Sequence, residues 1–488
     1  MQTRKPSTAA SWLVAALTAI GLLRALLLWS HEPLYAYANT YDQTRYSACF
    51  DIYPDRPAAV PLDENSPNAP YASFRFAEAR APMCYWSSEL AFTALTAASW
   101  HVSEWAGAGP VHSVRVIGAL KLVALLILSC TLSIAWLRRR QPAGALVNAA
   151  MMPLLFSDPG NTLYLNTFYA EWTSLLAAYA LFALLVLWHG EQASRWRFFV
   201  LAATALLLAS SKMQHLVLPL SLAIALLLVT RWRNGRASWQ AIALACGAVA
   251  GGGFQFAQMQ RDGPMMDSIR QYNRAHVIFT ALLPVAEDQR AFLEEIGVDP
   301  DCVQYSGKHA WEMPGMPESF CPGVLGFGYM KQLSVLLTHP QMTLRLAGRA
   351  ALALDPWTAE NIGQVEGEIL AEIPRNMFTL GVPLHRWPAL QLGLLALPVF
   401  GLLVLVMRRR IGANAMATDF SILVVVGMLA IVTITVLGDG LADTAKQGHL
   451  VVNLAVAWLI TMVGTSLGRI DRGEVVKPAE FEEPGSAM

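Results

Sequence analysis

Residues 114–140 read VRVIGALKLVALLILSCTLSIAWLRRR, an apolar run with Arg115 at its start, interrupted further in by Lys121 and closed by three arginines. The run over 114–137 is longer than the roughly 20 apolar residues that carry a helix across a bilayer. Arginines crowded at one end of such a run mark its cytoplasmic boundary. The segment is therefore expected to span a membrane, with its C-terminal end facing the cytoplasm.

Comparable runs lie near 12–29, 142–156, 172–188, 196–211, 214–230, 237–256, 387–407, 418–437 and 448–467, which makes ten spans in all. Those at 142–156 and 196–211 are short, as expected of helices that are tilted or buried among neighbours. With ten spans every arginine-rich connection falls on one side: Arg4 and Lys5, Arg138 to Arg140, Arg195 and Arg197, Arg231, Arg233 and Arg236, Arg408 to Arg410, and Arg469, Arg472 and Lys477. That side is the cytoplasm, so both termini are expected there. The expected fold is an all-α polytopic membrane protein of about ten transmembrane helices, with large extracytoplasmic loops that carry interfacial helices. Composition agrees: 55% of the 488 residues are hydrophobic and 14% charged, with a mean hydropathy of +0.40, against about 25% charged in a soluble domain.

The organisation follows from the spans. Residues 1–256 form an N-terminal transmembrane module whose first large outward loop is 30–113. An outward-facing region covers 257–386, the last helices cover 387–470, and 471–488 read as a disordered cytoplasmic tail. The N-terminal run is long for a signal sequence and lacks a small-residue cleavage site, so it reads as a retained first span. Lys+Arg and Asp+Glu balance at 35 each, which leaves no basic field for nucleic acid. Two outward segments suit interfacial helices: SSELAFTALTAASWHVSEWAGAG (87–109), with Leu90, Leu95, Trp100 and Trp105, and LTHPQMTLRLAGRAALALDPW (337–357), with Leu344, Leu346, Ala350 and Leu352. Cys49, Cys84, Cys302 and Cys321 all fall in outward loops, where an oxidising compartment favours disulfides. Four cysteines allow three pairings; the local one, Cys49–Cys84 and Cys302–Cys321, is expected because each pair lies within one loop. No C-x-x-C or H-x-x-x-H spacing suggests a metal site.

Polar residues that interrupt the outward edges of the spans are the candidates for chemistry. NTYDQTRY (39–46) offers Asp42 and Arg45 among tyrosines, which fits either a grip on a hydroxylated ligand or an interfacial aromatic belt with a surface ion pair. In SDPGNTLYLNTFYAEW (157–172), Asp158 to Asn161 form an exposed turn. A helix starting just after it would set Tyr164, Thr167, Phe168 and Glu171 on one face, beside Asn166 and Tyr169. Glu171 then enters the bundle, where an ionisable group marks a functional site unless it only pairs with a neighbouring helix. Lys212 in SSKMQH (210–215) either snorkels or meets a phosphate; Arg24 and Lys121 are further cations within spans. LGDGLADTAKQGHL (437–450) adds Asp439, Asp443, Lys446 and His449. DPWTAENIGQVE (355–366) offers Trp357, with Glu360, Asn361 and Gln364, as a sugar-stacking surface or a membrane anchor. No Gly-rich phosphate loop, G-x-S-x-G or H-E-x-x-H motif is present.

The order of elements resembles the GT-C superfamily of membrane glycosyltransferases: a first span, a large external loop with an early acid, here Asp42, and a second external loop with an acid, here Asp158. The NTFYAEW and SSKMQ stretches are also similar to bacterial membrane proteins placed near that superfamily. The resemblance implies transfer of a sugar from a polyprenyl-phosphate donor to a glycan, lipid or protein acceptor on the outer face of the cytoplasmic membrane. Asp42 would be the general base, Asp158 would orient the acceptor or sugar, and Lys212 would stabilise the departing lipid phosphate. The implied site also takes in Arg45, Asn161, Tyr164, Asn166, Tyr169, Glu171, Trp357, Lys446 and His449. No Asp-x-Asp motif stands in the first loop, and no cofactor or metal is expected. Two rival readings share the same residues: a transporter or flippase for a lipid-linked or anionic solute, and a noncatalytic protein of envelope-polysaccharide assembly.

Overall fold

The computed structural model describes residues 8–37, 40–57, 60, 70–78, 84–235, 238–261, 263–356, 362–365, 368–370, 379–408 and 415–470. Among the described residues, seven helices are long and apolar enough to cross a membrane: Thr8–Trp29, Arg115–Arg138, Met213–Arg233, Trp239–Arg261, Pro388–Arg408, Ala415–Asp439 and His449–Ser466. Shorter helical segments, Pro142–Phe156 and Glu171–Leu187 and Arg195–Ser211, stand at the three other expected positions. The chain is an all-α polytopic membrane protein. Helices are required because nothing in lipid can satisfy a backbone amide that its own segment leaves open. Leu13, Ile20, Leu23, Leu27, Phe400 and Leu403 stay exposed, as lipid-facing positions should.

Where helices touch, small residues let them. Gly247 and Gly251, four apart on Trp239–Arg261, lie so close to Ala202, Ala205 and Ala209 of the Arg195–Ser211 helix that a Cβ on either glycine would collide. This is the small-residue spacing that brings membrane helices together. Arginines from three of the connections meet acids at one end of the bundle. Glu191 there joins Arg139 and Arg197, at 2.5 and 2.7 Å, and Asp419 joins Arg233 and His189, at 2.6 and 3.1 Å.

The opposite end carries the two large loops, and each has structure of its own. In the first, Ile52–Pro54, Ser73–Phe76 and His112–Ser113 form an antiparallel sheet with Ile52 opposite Phe76 and Phe74 opposite His112. This sheet packs on the helix Leu90–Trp105. That helix was expected at the interface, yet Trp100 is buried against Phe74, His112 and Phe168, because the sheet gives it an apolar partner inside the loop. Leu95, Val102 and Trp105 remain exposed. Cys49 is bonded to Cys84.

In the second loop, Gly263–His276, Gln289–Ile296, Tyr329–Thr338 and Pro340–Ala353 enclose a separate core of Phe279, Leu283, Phe292, Leu293, Phe327 and Val335, beside the Cys302–Cys321 bond. On Pro340–Ala353 the apolar set divides: Leu346 and Ala350 face that core, while Leu344 and Leu352 are exposed. A second small sheet pairs Ala36–Tyr37 with Ile362–Val365, and that strand with Glu368–Leu370. Periodicity showed neither sheet, since strands of two to four residues are too short for an alternating pattern to register.

Candidate functional site

The site begins with two short helices from opposite ends of the chain. Thr40–Ser47 sets Asp42 and Arg45 three residues apart on one face, and their side chains are hydrogen-bonded. Thr444–Gln447 does the same for Asp443, at its start, and Lys446, which form an ion pair. The two helices meet where the Lys446 ammonium donates to Asp42 Oδ2 at 2.8 Å. Beside this junction Lys212 pairs with Glu171 and donates to Gln447 Oε1 at 3.3 Å. His449 lies against the carbonyls of Lys446 and Glu171, at 2.9 and 3.2 Å. Tyr169 offers its ring to Lys446 at 5.4 Å, and Tyr37 stacks on Tyr164 at 4.0 Å.

Three acids and three cations thus share one cluster of low exposure, which keeps it close to neutral. Burial alone would raise the Asp42 carboxyl, but the ammonium of Lys446 and the guanidinium of Arg45 outweigh it and hold Asp42 well below the usual carboxylate range. Asp443 shares Lys446 and sits deeper, so burial wins and pushes it up to about 6. Burial also raises Tyr46, Tyr164 and Tyr169 well above the ordinary phenol, which keeps them as neutral walls. Among the described residues no group of three or more His, Cys, Asp or Glu is arranged to hold a metal.

The turn at 158–161 is buried, whereas it was expected to be exposed: Asp158 and Asn161 keep 8% and 6% of their surface. Both Asp158 oxygens are taken. Oδ1 caps Gly160 N and accepts from Thr379 Oγ1, at 3.0 and 2.7 Å, while Oδ2 accepts from Leu380 N at 2.8 Å, with Arg24 at 3.9 Å. Burial raises this carboxyl, and those bonds only partly offset it. Asn161 exchanges amide hydrogen bonds with Asn453, at 2.8 and 3.0 Å. With Tyr37, Tyr164 and His449, these residues form the polar side of a narrow, partly open cleft whose apolar side includes Leu154, Leu155, Leu384, Val452 and Val456. Asp42 is not part of its lining, so the two acids named as candidates stand in different surroundings.

The expected helical face from Tyr164 to Glu171 does not form. The short helix ends at Thr162, and regular helix resumes only at Glu171. Lys121 supplies the reason: its ammonium donates to the carbonyls of Thr167, Tyr169 and Tyr164, at 2.8, 3.4 and 3.5 Å, groups a helix would use internally. Lys121 is fully buried and paired at 2.8 Å with Glu89, equally buried, whose other oxygen accepts from Thr173 Oγ1. Asn166 faces away, donating to the Trp29 carbonyl at 3.0 Å. Trp357 lies outside the described residues.

Sequence reasoning did not name Glu89. Glu89 had a signal, because a lysine inside a span needs an acid within reach and Glu89 is the sole acid between Glu78 and Glu104. Tyr37 was counted among the tyrosines near Asp42, but its stacking on Tyr164 had no signal, since only the tertiary structure brings the two together.

No curated protein matches the chain. Residues 93–475 match the family model described as the YfdI N-terminal transmembrane domain, a stretch that holds Glu171, Lys212, Asp443, Lys446 and His449 and begins after Asp42. The chain belongs to the YfdI N-terminal transmembrane domain family.

Proposed function

We propose that this protein is a glycosyltransferase of GT-C type, which moves a sugar from a polyprenyl-phosphate donor to an acceptor hydroxyl on the outer face of the cytoplasmic membrane. The observation that carries the reading is the meeting of Asp42 with Lys446 in a buried cluster that also holds Arg45, Lys212 and Glu171. A carboxylate kept ionised among cations is what such a transfer needs. Asp42 takes the acceptor's proton while the acceptor oxygen attacks the anomeric carbon. The bond from that carbon to the phosphate oxygen breaks, and the polyprenyl phosphate leaves as an anion stabilised by Lys446, Arg45 and Lys212. In the free protein the cluster's own acids occupy these cations. The donor phosphate would replace them and free Asp42 to act as a base.

The remaining parts take roles that fit this chemistry. The adjoining cleft, apolar on one side and reaching His449 on the other, presents an apolar wall to the isoprene unit next to the phosphate. Asp158, with both oxygens engaged, ties the turn to Thr379 and Leu380 and is a positioning residue. We assign the ten helical segments as ten spans, with the arginine-rich end and both termini in the cytoplasm. The test is transfer from radiolabelled polyprenyl-phosphate sugars in membranes carrying the wild type, Asp42→Asn or Asp158→Asn. Asp42→Asn is expected to lose at least about a hundredfold in rate, and undiminished transfer by that variant would overturn the assignment.

A further inference from the structure

The outward loop region holds a second arrangement of polar and aromatic groups that the transfer site does not use. His276, buried at the end of Gly263–His276, meets Asp439 through Nδ1 at 2.8 Å. A carboxylate only accepts, so Nδ1 carries a proton, and Nε2 is the ring's second polar atom. That Nε2 is buried and has no hydrogen-bond partner. A buried polar atom left open is uncommon in a native protein and calls for an explanation.

Trp311 stands over this ring. His309 stacks on Trp311 with centroids 4.7 Å apart and planes 13° apart. His276 meets Trp311 at 4.7 Å and 78°, and His276 lies 6.4 Å from His309. These three distances form a nearly right-angled triangle with Trp311 at the corner. His309 therefore covers one indole face and His276 meets an edge, which leaves the other face to neither. Trp311 is 49% exposed, and exposed Lys308 and Glu312 flank it. An open indole face between charged neighbours suits a hydrated ligand better than lipid.

We infer that Trp311, with His309 behind it and His276 at its edge, is a pyranose-binding platform of the outward region. The apolar face of a sugar ring stacks on the open side of the indole. Its hydroxyls reach Lys308, Glu312 and, as the half-exposed indole shifts, His276 Nε2. Asp439 fixes the histidine and ends the helix Ala415–Asp439, which leads into the short connection, 440–448, that carries Asp443 and Lys446. Its role, holding a glycan acceptor beside the transfer site, rests on the glycosyltransferase reading; the binding itself does not.

The experiment is saturation-transfer NMR with methyl α-D-glucopyranoside on the purified full chain in detergent, where no lipid donor is needed. Wild type is expected to saturate the protons of one ring face. Trp311→Ala should weaken binding about tenfold or more, Trp311→Tyr should stay within about threefold, and His276→Asn should fall between them. Absence of transfer in the wild type, or equal transfer in wild type and Trp311→Ala, would overturn the platform. Quenching of Trp311 by brominated lipid in liposomes would overturn it too, by making the residue a membrane anchor. Loss of sugar-donor turnover with pyranose binding intact would instead count against the transfer reading alone.

Discussion

Asp42 and Asp443 share Lys446 and differ in depth, and that difference sets how the cluster responds to pH. Asp443 is raised to about 6 from an ordinary 3.8, so the folded protein binds its proton over a range where the unfolded chain has released it. Its contribution to stability is present at low pH and is lost as pH rises from about 4 through about 6. Below the upper value Asp443 is neutral and the cluster gains positive charge. Affinity for a polyprenyl-phosphate sugar is expected to rise about threefold or more between about pH 7.5 and about pH 5.5, and Asp443→Asn should flatten that profile; a donor titration at several pH values checks both. Asp42, Lys212, Lys446 and His449 were readable in the sequence as polar breaks at span edges. That Asp42 meets Lys446, and that Asp158 spends its carboxylate on Thr379 and Leu380, was not, because both pairings join segments more than 200 residues apart.

At the scale of elements, the Glu89–Lys121 pair decides the course of 163–170. With both groups fully buried, removing one leaves the other uncompensated, at a cost of about 3 to 5 kcal/mol. Glu89→Gln or Lys121→Met alone should lower the thermal unfolding temperature in detergent sharply. Glu89→Leu combined with Lys121→Met should recover much of that stability, yet should not restore transfer, because the carbonyls of Tyr164, Thr167 and Tyr169 lose their donor. Recovery of both would contradict the positioning role. At Gly247, which packs against the Arg195–Ser211 helix, Gly247→Leu should also lower the unfolding temperature, whereas a leucine at Gly253, where the structure leaves open space, should not. The helices themselves were legible because apolar length is a strong signal. The break before Glu171 was not, since it depends on an ammonium from another helix.

Across the whole molecule, charge is divided between the two ends. Arg139, Arg197 and Arg233 meet Glu191 and Asp419 at one; Asp42, Glu171, Lys212 and Lys446 gather at the other. The positive-inside assignment puts the first end in the cytoplasm. With Cys130 and Cys246 replaced by serine, a membrane-impermeant maleimide added to intact cells should label Lys308→Cys and leave Arg231→Cys unmodified; the reverse pattern would invert the orientation. The division could be read from arginine positions alone, whereas the small sheets and the separate core around Phe279 could not, because they form within loops whose composition is mixed. The most direct test of the central claim is single-turnover transfer by the purified chain in liposomes, from a radiolabelled polyprenyl-phosphate sugar, for wild type and Asp42→Asn with matched unfolding temperatures. The expected result is rapid labelling of acceptor by the wild type and a loss of about a hundredfold or more in Asp42→Asn, with donor binding retained. Equal rates for the two proteins would contradict the account.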